Sequence, residues 1–176
     1  MDIETRLNLL EARIAALEQA LGAPSKPPEG LFWALDYLRQ AAKPGGEVVF
    51  AGQADLLSGT WGWQWGLPVG PLLKTPWSEV AQSLAALAHP LRLEILRAVL
   101  NGKSSSQELQ HLADIGTTGQ LYHHLKELQS AGWLKVSKRG SYTVPPEQII
   151  PLLVILSAAG GEALAAQIAQ TEQLGR

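Results

Sequence analysis

Apolar residues recur along the first 21 positions in steps of four and three: Ile3, Leu7, Leu10, Ile14, Leu17 and Leu21. With charged and small residues between them, that period of 3.5 makes the a/d seam of a coiled coil. A seam this short cannot bury itself, so residues 1–22 predict a helix that pairs with the same helix of a second copy. Docking onto its own domain is the alternative. "GAPSKPPEG" (22–30) breaks the pattern and reads as a linker. "LFWALDYLRQAAK" (31–43) predicts a short helix with Leu31, Leu35 and Leu38 on one side, stopped by Pro44-Gly45-Gly46. "EVVFAGQADLL" and "TWGWQWG" then read as two strands around Ser58-Gly59, a hairpin signal. Pro68, Pro71 and Pro76 predict a second linker.

From residue 77 the helical period returns, with Trp77, Val80, Leu84 and Leu87 on one side. A second helix begins at Pro90 and stops at Asn101-Gly102. "SSSQELQHLA" opens with serines suited to an N-cap and turns Leu109 and Leu112 inward. After the turn "DIGTT", a third helix is capped by Thr117 or Thr118 and ended by Gly132. "WLKVSKRGSYTV" predicts two short strands around Lys138-Arg139-Gly140. The tail from Pro145-Pro146 predicts a helix with Ile149, Leu152, Leu153, Leu156, Leu164 and Ile168 on its apolar side. No internal repeat is visible.

Helix, helix–turn–helix and a basic-tipped hairpin make the layout of a winged helix. Here it resembles the ArsR-type winged-helix transcription factors, on "AHPLRLEILRAVLNG" (88–102), "ELQHLA" (108–113), "TTGQLYHHLKELQSAGWL" (117–134) and "RGSYTV" (139–144). The resemblance covers about residues 78–145. It implies a homodimeric repressor that leaves double-stranded DNA when an effector binds, with the terminal helices building the dimer. The expected fold class is therefore α+β, mainly α with small β-hairpins. Residues 1–22 would be the coiled-coil helix and 23–75 a linker, short helix and Trp-rich hairpin. Residues 76–145 would be the winged helix-turn-helix domain and 146–176 the dimerisation helix. Dimer contacts are expected from Leu7, Leu10, Ile14, Leu17, Leu153 and Leu156. Two such domains would face half-sites about 34 Å apart, one turn of DNA.

The residue chemistry of the third helix stands beside that resemblance. Leu121, Leu125 and Leu128 share one stripe and must be core, while Gly119, His123, Lys126 and Ser130 lie opposite, flanked by Gln120, Tyr122 and Glu127. Such a polar face can read base edges in the major groove. Thr117 and Thr118 at the helix start can hold a phosphate, and Gly119 lets the backbone come close. Lys138 and Arg139 at the hairpin tip can reach a neighbouring phosphate or the minor groove. A solvated face and a charged turn are the bland alternative. His123 points to the same side, for a DNA contact or mere exposure, and His124 lies nearer the core boundary as a packing residue. Adjacent residues do not share a helix face, so the pair is a poor chelate.

Trp61, Trp63 and Trp65, half of the six tryptophans, alternate along one strand and leave the same face. They must cover something. One reading packs them onto the helix 31–43; the other makes a pocket for a flat or apolar effector, lined by Trp33, Trp61, Trp63 and Trp65 and anchored by Gln64 or Asp55.

Composition narrows the rest. The net charge of −2 is uninformative, but residues 1–22 carry −2 (two Arg against four acids) and residues 102–144 carry +2 (five Lys/Arg against three acids). There is no cysteine, hence no thiolate metal site. Residues 145–176 have no histidine and only Glu147, Glu162 and Glu172, so no metal effector or cofactor is expected. His89 and His111 are separate singles. No phosphate loop or catalytic constellation reads in the chain, so no enzyme is expected. No stretch of roughly 18 uninterrupted apolar residues and no signal-peptide order is seen, so the expectation is a cytoplasmic protein without a membrane partner. The other expectations kept open are a winged helix used for protein association and a small-molecule sensor.

Overall fold

A computed structural model describes residues 33–41, 43–112, 116–137 and 140–174. The chain divides into two units, Met1–Gly46 and Glu47–Arg176. The seam through Leu7, Leu10, Ile14 and Leu17 lies outside the described residues, as do Lys138 and Arg139. In the first unit the described residues form helix α1 (Trp33–Ala41), with an exposed Asp36–Arg39 ion pair of 3.1 Å. Beyond it, Gly45 and Gly46 of the Pro-Gly-Gly breaker take positive φ, 82 and 84°.

The second unit is mixed α+β. Strands β1 (Glu47–Leu56) and β2 (Gly59–Pro68) precede helices α2 (Val69–Lys74), α3 (Ser78–Leu87), α4 (Pro90–Leu100), α5 (Ser106–Gln110) and α6 (Thr118–Ser130). Strands β3 (Lys135–Val136) and β4 (Tyr142–Thr143) and helix α7 (Pro146–Leu174) complete it. The strands form two separate antiparallel pairs, β1–β2 and β3–β4.

The β1–β2 ladder runs from Leu56–Gly59 to Glu47–Pro68 without a bulge. Its two-residue turn is Leu57-Ser58, one position before the expected Ser58-Gly59, because Gly59 (φ 130°) starts the strand. Alternation sends Ala54, Leu56 and Trp61 onto the core. Gly52 lies on the same face, so close to α7 that an added Cβ would stand 2.9 Å from Ile150 Cγ2. The hairpin thus lies on α7, within the second unit; helix 31–43, the support expected from the sequence, belongs to the first unit. The Pro68–Pro76 stretch is not a plain linker. Pro68 caps α2 and Pro71 sits in its first turn, where proline costs no hydrogen bond.

Helices α3 to α6, β3–β4 and the start of α7 share one apolar core. Ile95, Leu96, Leu109, Leu121, Leu125, Leu128, Leu134 and Leu152 are its fully buried members. Trp133 is buried among them and donates its indole N–H to the Ser83 carbonyl of α3, 3.0 Å away. Helix α7 breaks at Gly161 (φ 49°, ψ −141°), dividing the helix the sequence ran straight through. By length and composition Pro146–Gln170 could cross a membrane, but its Ile149, Ile150 and Leu152 are built into the core. Leu153 and Leu156, expected in the dimer, are half-buried against that core.

Candidate nucleic-acid interface

Two capping boxes fix the starts of α5 and α6. The Ser105 hydroxyl accepts from Glu108 N–H (3.2 Å), and the Glu108 carboxylate takes Ser105 N–H (2.9 Å) and Ser104 N–H (3.1 Å). These bonds, those from Ser105 above all, hold the Glu108 carboxyl below the usual range. In α6, Thr117 Oγ1 accepts from Gln120 N–H (3.3 Å) while Gln120 Oε1 accepts from Thr117 N–H (2.7 Å). Thr117 and the Gln120 carbonyl are therefore committed to fixing the helix start. For Gln120, the expected reading contact with DNA is limited to its amide N–H groups.

Helix α6 then separates its faces as its sequence requires. Leu121, Leu125 and Leu128 are buried, while Thr118, Gly119, Tyr122, His123 and Lys126 are exposed. An added Cβ at Gly119 would meet nothing nearer than Thr117 Oγ1 at 3.9 Å, so the backbone there is open to an approaching surface. Beside Thr118 and Tyr122 runs a cleft lined also by Ser106, Gln107, Gln110 and His111 of α5 and its end. Sequence reasoning passed over this second row of polar groups, because a five-residue helix has too little length to show a face. Gln110 donates to the Gly116 carbonyl (3.2 Å), tying α5 to the segment that enters α6.

Behind the exposed face, His124 is half-buried against His89, with ring centroids 4.6 Å apart. His89 caps α4, its Nδ1 accepting from Leu91 N–H (3.2 Å). Arg92, largely buried, reaches the Ala85 carbonyl (3.0 Å) and stands 3.8 Å from the Glu127 carboxylate. His124 thus belongs to a joint between α4 and α6. Burial first, then His89, His123 and Arg92, holds its imidazole below the usual histidine range, against the opposite pull of Glu127. The folded state therefore favours neutral His124, and stability is complete above the ordinary histidine value. It falls as pH drops through that value toward the depressed one. Thermal unfolding from about pH 7.5 to 5 should show a steeper loss of Tm for the native chain than for His124→Gln. Equal losses would overturn this role.

The Trp stripe is split by its surroundings. Trp61 packs on the core and donates its indole N–H to Ser58 Oγ (3.2 Å); Trp63 and Trp65 are 39% and 52% exposed. Gln64 pairs with Ala51 on the opposite face of the ribbon. Asp55 pairs with Thr60 on that same opposite face and accepts its hydroxyl at 2.7 Å. Gln64 and Asp55 thus lie away from the indoles, which corrects their expected role as polar anchors of a pocket lined by Trp61, Trp63 and Trp65. Trp33 belongs to the other unit. No family model, curated protein or solved structure matches this chain.

Proposed function

We propose that residues 76–145 form an ArsR-like winged helix-turn-helix domain, and that the chain is a sequence-specific, homodimeric DNA-binding regulator. The resemblance implies a repressor released by an effector, and the lack of cysteine and of any histidine after His124 points to a non-metal one. The observation that carries the reading is α6 itself. Its capped start and its exposed Thr118, Gly119, Tyr122, His123 and Lys126 stand opposite three buried leucines, on a helix that follows α5 and precedes a short antiparallel pair. Lys138 and Arg139 would add the phosphate contacts of the wing.

Selection of bound duplexes from a random library at two salt concentrations tests it. An enriched inverted repeat is expected, with affinity falling steeply, about 10³-fold for six phosphate contacts, between about 50 and 200 mM salt. The second reading, a winged helix for protein association, is favoured by the exposed Trp63 and Trp65. It forecasts no enriched site and little salt dependence.

A further inference from the structure

The exposed edge of β2 carries an inference beyond DNA binding. A two-residue turn closes on a hydrogen-bonded pair, here Leu56 with Gly59, and hydrogen-bonded pairs alternate from there. The odd-numbered residues of β2 therefore turn their N–H and C=O groups toward β1. Gly62, Gln64 and Gly66 turn theirs to the outer edge. Among the described residues no third strand meets that edge. Edge strands are ordinarily guarded by charge, proline, bulges or brevity. Over ten residues β2 has no charge and no bulge, and its one proline is the last residue.

We propose that β2 pairs antiparallel with β2 of a second copy, about a two-fold axis through Gln64. In that register Gln64 faces the second copy's Gln64, and Gly62 faces Gly66, so outward donors and acceptors meet. Trp63 then faces Trp65 twice, in non-hydrogen-bonded pairs where side chains approach most closely. The two indoles left exposed in one chain would cover each other. The equivalent pairing of β1 about Ala51 would set Glu47 opposite Asp55 twice, placing like charges across the ladder. In these mid-strand registers the two edges differ, and β2 is the one without facing charges. Helix spacing agrees. With strands about 4.8 Å apart, the midlines of the two ribbons stand about 10 Å apart. Helix α7 touches both β1 and β2 of its own ribbon, and helices pack at about 8–10 Å. The two α7 helices would thus lie side by side under one four-stranded sheet.

The chain has no cysteine, so a single introduced thiol reports the axis directly. Full-length Gln64→Cys and Ala51→Cys are compared under mild oxidation without DNA, which keeps the result independent of the DNA-binding reading. Across a hydrogen-bonded pair the Cα atoms stand about 5.5 Å apart, within disulfide reach. Gln64→Cys should cross-link about ten-fold faster than Ala51→Cys. Equal rates, or a faster Ala51→Cys, would overturn the proposal. Gln64→Lys and Gln64→Glu, both on the solvent face, should each weaken association in sedimentation, and their mixture should restore it as a mixed pair. A mixture that associates no better than either variant alone would also overturn it.

Discussion

Leu125→Ala is expected to cost about 2–5 kcal/mol of stability, while Lys126→Ala, one residue on, is close to neutral for stability and, on the proposed function, weakens DNA binding at every sequence. Leu125 is 1% exposed and sits between Leu121 and Leu128 in the core shared by α4, α5 and α6. Truncation there removes buried methyl groups from a packed core and leaves a cavity. A loss of this size is a large fraction of the ~5–15 kcal/mol that holds a domain folded, and should lower Tm by about 10 °C. Lys126 lies on the exposed side, where truncation falls within about 0.5 kcal/mol of neutral. If that side meets DNA, removing one phosphate contact lowers the slope of log affinity against log salt by about 0.9. Thermal unfolding and DNA titration at several salt concentrations read both variants together. An unchanged salt slope for Lys126→Ala would sink the assignment of α6 as the reading helix. A stable Leu125→Ala would sink the two-faced helix on which that assignment rests.

The contrast between these neighbours was legible in the sequence, because helical period alone separates positions 121, 125 and 128 from 119, 123 and 126. The caps were legible for the same kind of reason. Thr117 with Gln120 and Ser105 with Glu108 are local pairs three residues apart, and local spacing is what a sequence displays. Long-range partners were not legible. Nothing near Gly52 indicates that its missing side chain makes room for Ile150, some hundred residues later, yet that approach fixes where the hairpin lies. His89 likewise reads as a separate single, and nothing local to it or to Arg92 indicates that Ala85, His124 and Glu127 meet them in the fold. The short helix α2 was hidden because its prolines look like breaks, although both stand where a helix tolerates them. Gln64 is a different case. Strand alternation already placed it opposite the indoles, and the structure restores the consequence of that rule.

Trp61→Ala should be the most damaging change in the hairpin, costing about 2 kcal/mol. A core tryptophan truncated to alanine costs about 3–5 kcal/mol, and Trp61 is only partly buried. It nevertheless joins the shared core and holds the turn through its indole bond to Ser58. That turn in turn covers the end of α4: an added Cβ at Gly102 would stand 3.1 Å from Leu57 Cδ1. Loss of Trp61 therefore loosens one ribbon at two places, over Ile150 and over Gly102. Trp61→Phe, which keeps most of the packing and loses the hydrogen bond, should cost about 1 kcal/mol. Trp65→Ala should cost less than about 1 kcal/mol in the single chain, because half of that side chain is already in water. Its penalty should appear instead in association between copies, growing with protein concentration as pairing of β2 requires. Chemical denaturation at two protein concentrations separates the two kinds of tryptophan. Trp61 variants should lose the same stability at both, and Trp65 variants should lose more at the higher than at the lower. If Trp61→Ala proves no worse than Trp65→Ala at low concentration, the stripe acts as a single surface and its inner member does not anchor the hairpin.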